Sequence, residues 1–162
     1  MSEDSITVVG EAPGVHRVWL WQNVFVISWY GKSSAESARA LGPITDRIYT
    51  QVSYEKFSYV HLIANKLELP DAATRTALLD LTHEHGPRTA CVAVIVSGTG
   101  FWASAIRSFV TGIRVLAPRG FDLRMHAAIP ELGEWLPEEH ERKTGVKLEP
   151  SELIRQIERT QL

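Results

Sequence analysis

The sequence predicts an α/β fold: a mixed sheet that opens with an antiparallel hairpin and continues as alternating strands and helices. A C-terminal helical extension follows. Three observations carry this. The run HRVWLWQNVFVISWYG (His16–Gly31) is rich in β-branched and aromatic residues and is split by Gln22-Asn23, as two strands around a turn would be. Two later apolar runs, Tyr59–Ala64 and Ala90–Ser97, are short enough to be strands. Between and after them, apolar residues recur at spacings of three and four, the helical period.

Residues 1–14 form a polar lead-in ending in Ala12-Pro13-Gly14, with a short edge strand at Ile6–Val9. The hairpin strands run over Val15–Trp21 and Val24–Tyr30. Side chains alternate across a strand, so Val18 and Leu20 share one face and Trp19 and Trp21 the other. The second strand carries apolar residues on both faces, which asks for cover on both sides. Ser33 or Ser34 can cap the first helix by accepting from free first-turn amides. Its stripe is Ala35, Ala38, Leu41, Ile44, Ile48 and Val52, and Gly42-Pro43 kinks or splits it.

After the strand Tyr59–Ala64, Pro70-Asp71 starts a helix that runs to His85 and stops at Gly86-Pro87. Ala73, Ala77, Leu78 and Leu81 form its inner face. Ala90–Ser97 has no polar residue before Ser97, so it reads as an interior strand. Gly98-Thr99-Gly100 then turns the chain into the helix FWASAIRSFVTGIRVL, with Trp102, Ala105, Ile106, Phe109, Val110 and Ile113 facing in. Phe121–His126 reads as a last strand and Ala127–Leu136 as a helix with Leu132, Trp135 and Leu136 inward. Residues 137–149 are charged and read as a linker, and Pro150–Leu162 as a short amphipathic helix bearing Leu153, Ile154 and Ile157.

Composition narrows the function. The 162 residues are 44% hydrophobic and 22% charged, with a net charge of −2. One domain with a sizeable core is expected at this length. The absence of a basic excess argues against a nucleic-acid partner. A single cysteine, Cys91, leaves no intrachain disulfide framework and no cysteine-based zinc site. The opening MSEDSITVVG lacks a basic-then-apolar leader, and no run of 18 apolar residues spans a membrane. A soluble cytoplasmic protein is expected, with no cofactor and no metal.

Several stretches resemble the STAS fold (sulphate transporter and anti-sigma factor antagonist), in its anti-sigma factor antagonist-like branch. FVISWYGKSSAESARAL looks like the family's second strand and first helix, and YVHLIANKLELPDAATRTALLDLTHEHG like its recognition region. ACVAVIVSGTGFWASAIRSFVTG is similar to the next strand and helix, and FDLRMHAAIPELGEWL to the ending that closes on Trp-Leu. The resemblance covers residues 15–136. It implies a non-enzymatic regulatory domain of bacterial type that binds a protein partner or itself. The surface it implies is Leu69, Pro70, Asp71, Thr74 and Arg75, with the loop Ser97–Phe101 beside it. The family's phosphorylatable serine, in an Asp-Ser-Ser-Gly-like run, is missing: this chain reads Leu69-Pro70-Asp71-Ala72-Ala73-Thr74, and Thr74 and Thr76 are the nearest hydroxyls.

The residues offer other candidate sites. Trp19 and Trp21 share a face of the hairpin; if it lies at the sheet edge and open, it is an interface, for instance of a homodimer. Ser97, Gly98, Thr99, Gly100 and Phe101 sit where a strand meets a helix, which suits an anion, nucleotide, lipid or other small ligand. The ordinary role of such a turn is a helix cap, and no complete phosphate fingerprint is present. A hydrolase or lyase would draw on His61, Asn65, Asp71 and Ser97. His83 and His85 point about 200° apart on a helix, which disfavours a shared metal ion.

Overall fold

The protein was analysed as a computed structural model that describes residues 5–161. The first four residues of the lead-in and Leu162, at the end of the expected last helix, lie outside the described residues. Six strands form one sheet whose spatial order follows the chain, β1-β2-β3-β4-β5-β6. They are β1 (Thr7–Ala12), β2 (His16–Trp21), β3 (Val24–Trp29), β4 (Phe57–Ile63), β5 (Thr89–Val96) and β6 (Leu123–His126). β1–β2 and β2–β3 pair antiparallel; β3–β4, β4–β5 and β5–β6 pair parallel. The mixed sheet and its opening hairpin are those read from the sequence.

The hairpin turns on two residues, with Trp21 opposite Val24. Gln22 takes φ +50° there, a conformation that glycine or asparagine adopts more readily. What holds the turn is Asn23, fully buried, whose side-chain Nδ2–H donates to Lys56 O at 2.9 Å. The free edge of the hairpin is covered by β1. A bulge lies between Val8 and Gly10, and a Cβ at Gly10 would fall 2.6 Å from Ile44 Cδ1, so only glycine lets β1 pass this close to the helical layer.

The parallel strands need crossovers, which are helical. α1 (Ala35–Arg39) and α2 (Leu41–Gln51) join β3 to β4, α3 (Ala72–His85) joins β4 to β5, and α4 (Phe101–Leu116) joins β5 to β6. Ser34 caps α1 through a reciprocal Ser34–Ser37 box. The expected kink is a full break, because α2 restarts at Leu41 with Pro43 in its first turn. Phe25, Ile27, Val92 and Val94 of the sheet pack on Leu41, Ile44, Ile48, Ile106 and Val110. In α4 the buried stripe includes Ala103, with Ala105 only partly covered.

The opposite sheet face has a different cover. Val24, Val26, Val60, Leu62, Ala93 and Ile95 pack on Ile129, Leu132, Trp135, Leu136, Leu148, Leu153 and Ile157. The expected helix over 127–136 is a 3-10 helix at Ile129–Glu134, with the inward residues as read. Residues read as a charged linker are instead α5 (Leu136–Thr144), followed by α6 (Pro150–Glu158). Its charges suit a helix: Glu138 and Glu139 open it, Arg142 and Lys143 close it, and Pro137 occupies the first turn. Glu139 pairs with Arg142 and Lys143 one turn on.

α5 also delivers His140 to the centre of this layer. Ser58, Cys91, His140 and Asn23 are all sealed from solvent. Ser58 Oγ lies 2.7 Å from His140 Nδ1 and 3.1 Å from Cys91 Sγ, and His140 Nε2 lies 3.0 Å from Asn23 Oδ1. One assignment satisfies every atom: the thiol donates to Ser58, Ser58 donates to Nδ1, and Nε2–H donates to Asn23. That assignment requires a neutral imidazole. Burial lowers the His140 pKa to about 4. An unfolded histidine titrates near 6.5. The unfolded chain therefore binds more protons between these values, so this contribution is complete above about pH 6.5 and is lost as pH falls toward 4. The shift corresponds to something on the order of 3 kcal/mol. Urea unfolding at pH 7 and at 4.5 is expected to show that loss, and His140→Gln to reduce the pH dependence while lowering stability at pH 7, the remainder coming from the other buried histidines, His61 above all.

Candidate functional site

The carboxyl ends of β4 and β5 open into the loops 64–71 and 97–100, which lead into α3 and α4. In parallel α/β sheets this end is where binding residues collect. Pro70 is followed by Asp71, the N-cap of α3, whose carboxylate accepts from the Thr74 backbone N–H at 2.8 Å and from the Thr74 hydroxyl at 2.7 Å. These bonds hold the Asp71 carboxyl below its ordinary pKa, with help from Lys32. Thr74 is completely buried by the same arrangement. Of the residues expected on the partner surface, Asp71 and Arg75 are exposed, Leu69 is 47% exposed, Pro70 is half-buried, and Thr74 does not reach the surface. Its hydroxyl serves the helix cap.

The second loop is fastened to the first. Trp102 Nε1–H donates to Leu67 O at 2.6 Å. Arg107 donates to Val96 O and Gly98 O, which fixes the turn from below. Gly98 and Gly100 hold φ of +88° and +92°, so this turn needs glycine at both positions. Phe101, the first residue of α4, is left 86% exposed. On α3, Arg75 lies 5.5 Å over the Phe109 ring. Lys32 pairs with Glu68 at 2.7 Å and ties the loop after β3 to the same pole. The pole thus presents Leu69 and Phe101 on two cross-linked loops, rimmed by Lys32, Glu68, Asp71 and Arg75.

Other expected residues lie elsewhere. Trp21 is in the core at 4% exposure and Trp19 is half-buried, while β1 pairs along the outer edge of β2. The hairpin is therefore internal to the sheet, and its tryptophan face is mostly covered from within the chain. The residues considered for hydrolysis do not converge on one nucleophile–base pair. His61 faces the layer under α3, Asn65 is on the exposed loop, Asp71 is a cap, and Ser97 Oγ donates to Ala127 O. Burial pushes the Cys91 thiol up to about 11, which keeps it protonated. Asp46, Glu84 and His85 bring one donor atom each within 4.8 Å of one another. His85 Nε2 is 3.2 Å from Asp46 Oδ1, and His83 is not part of this group.

Two features escaped sequence reading. The buried Ser58–His140–Asn23 relay depends on residues 117 positions apart. The second is the surroundings of His61. Trp29 lies between His16, in an edge contact at 4.8 Å, and His61, stacked at 6.3 Å, and Trp29 Nε1–H donates to His61 Nδ1 at 3.1 Å. His16 lies 2.8 Å from Ser37 O through Nε2. Trp29 and His61 come from β3 and β4, and the parallel register of the two strands brings them together.

A further outcome concerns the cap. Thr74→Val keeps the shape of the side chain and removes the hydroxyl, so it is expected to lower stability by about 1 kcal/mol in urea unfolding. Thr74→Ser is expected to retain the bond to Asp71.

No family model and no curated protein sequence matches this chain. A solved structure does. It is the crystal structure of an uncharacterized protein from the DUF3478 family with a SpoIIAA-like fold, from Shewanella loihica PV-4. The match has a TM-score of 0.53 at 16% identity and covers 82% of this chain and 94% of that one. Among the described residues, no helix is long and apolar enough to cross a membrane. With the six-stranded mixed sheet and its crossovers, the likeness establishes a SpoIIAA-like, that is STAS-like, fold for this chain.

Proposed function

We propose that this domain is a regulatory protein–protein interaction module of the bacterial cytoplasm, binding a protein partner or a second copy through the pole formed by Leu69, Asp71, Arg75 and Phe101. The observation that carries the reading is the exposure of Phe101, at 86%, beside a tied loop that exposes Leu69 at 47%. Neither side chain has a packing role that accounts for its being apolar. Two exposed apolar residues on loops joined by the Trp102–Leu67 bond, with charged residues on the same loops, have the composition of an interface centre. Val115 and Leu116, at the other end of α4, are also exposed, but there no second loop is tied alongside by a comparable bond.

The arrangement needs no hydroxyl for phosphorylation. With Thr74 buried in the α3 cap, contact would run through shape and apolar area. Ser97 lines a mixed polar and apolar space of about 240 Å³ with Ile95, Ile129 and Gln161, but Phe101, the apolar residue of the turn, projects outside it and is exposed, which favours a protein contact there.

A photo-crosslinking residue placed at 69 or 101 in the native host tests this. Both positions are expected to give a discrete adduct with another protein chain, and a control at exposed Lys147 is expected to give none. Absence of adducts at 69 and 101, or equal adducts at 147, would contradict the proposal. Phe101→Ser is expected to leave stability within about 0.5 kcal/mol, since the side chain is exposed.

A further inference from the structure

Helix α3 spans a gap in the core. Of its 14 residues only Thr74 and Ala77 are buried. Beneath it lies a cavity of about 130 Å³, with walls that include His61, Leu78, Thr82, Val94, Phe109 and Ile113. A smaller space of about 80 Å³ continues toward His85 and shares His61, Leu78, Thr82 and Val92 with the first. The lining is almost wholly apolar; its polar side chains are Ser33, Thr82, His61 and the Trp29 indole. Thr82 donates its hydroxyl to Leu78 O, which leaves that oxygen only lone pairs to offer.

His61 differs from Thr82 and Ser33 in being a ring whose orientation a neighbour fixes. Its Nδ1 accepts from Trp29 Nε1–H. Burial, reinforced by His16, lowers its pKa to about 4, so the ring is neutral at pH 7. A neutral ring that accepts at Nδ1 carries its proton on Nε2. No group among the described residues bonds Nε2, and this atom is not among those sealed from a solvent-sized probe. The ring is half-buried, yet it lines both cavities. An uncommitted donor therefore sits in the wall of an apolar space.

Size and charge define what fits. An apolar cavity of about 150 Å³ accommodates benzene, so this one suits a single six-membered ring or its aliphatic equivalent. The donor is uncharged, and among the described residues no Lys or Arg lines the cavity, so a carboxylate placed there would lose its hydration without compensation. We propose that the cavity under α3 binds a small uncharged carbonyl compound of single-ring size, whose oxygen accepts a hydrogen bond from His61 Nε2–H. This site is separate from the Leu69–Phe101 pole and stands or falls independently of it.

Cyclohexanone is a suitable probe, followed by the ¹⁵N-labelled histidine ring signals and by the backbone amides of Leu78 and Thr82. A saturable shift of the His61 Nε2 signal is expected. Toluene, of the same size but without an acceptor, is expected to bind at least about tenfold more weakly, the value of one hydrogen bond. Benzoate is expected to give no saturable shift. His61→Gln can accept from Trp29 and donate to the ligand, and is expected to stay within about threefold of the original affinity. His61→Phe is expected to lose about tenfold or more. The proposal is overturned by no saturable shift with cyclohexanone, by toluene binding equally well, or by full affinity in His61→Phe. Should His61→Phe fail to fold, the contrast between cyclohexanone and toluene on the original protein decides alone.

Discussion

Right-handed crossovers constrain everything else in this molecule. When parallel strands are laid down in chain order and every crossover has the same hand, the crossover helices fall on one face of the sheet. That is the case for β3 through β6, and α2, α3 and α4 pack against the same set of strand residues. The other face would then stand bare, although Val24, Val26, Val60, Leu62, Ala93 and Ile95 point into it. Apolar strand faces of this extent are not left in water. The C-terminal segment solves the problem: the 3-10 helix, α5 and α6 lie across that face and bury Leu132, Leu136, Leu148, Leu153 and Ile157 almost completely.

The Cys91–Ser58–His140–Asn23 relay fixes how that cover is seated. It links β5, β4, α5 and the hairpin turn, and satisfies groups that would otherwise be buried without partners. Asn23 also holds Lys56 O, so the entry to β4 is tied to the same turn. Further anchors surround it. Ile6 N–H donates to Gln156 at 3.0 Å, and Ser28 Oγ to Thr160 O at 3.4 Å. The first face differs in character. Its two outer helices α2 and α4 are well seated, while α3 between them buries little of itself. The least buried helix of this layer is thus the one whose N-terminus forms part of the exposed pole and whose underside roofs the cavity.

Much of the fold was legible because its signals are local. Capping residues marked the starts of α1 and α3 at Ser34 and Asp71, and the helix over Ala72–His85 follows the boundaries read from Pro70 and Gly86. The strands β2 to β5 are rich in β-branched, aromatic and other apolar residues, with few polar interruptions. α5 was hidden because its charges, taken singly, look like a solvated loop; only their order along the chain suits a helix dipole. The loop pair at Leu69 and Phe101 was readable from position, but the burial of Thr74 was not, since it depends on how the Asp71 cap closes. Trp19 and Trp21 suggested an open face because the layer that covers it was hidden in the charged C-terminal stretch: Trp21 is buried in that layer and Trp19 packs against it. The donor of His61 follows from a contact between two adjacent parallel strands, which no spacing encodes.

The C-terminal segment is part of the global fold, and α3 is the least buried helix of the opposite layer. Native-state amide hydrogen exchange measures this directly. Amides of α6 around Leu153 and Ile157 are expected to exchange only with global unfolding, together with those of β4, while those of α3 exchange through a lower-energy opening. Exchange in α6 well before β4, with α3 protected to the level of the sheet, would contradict it.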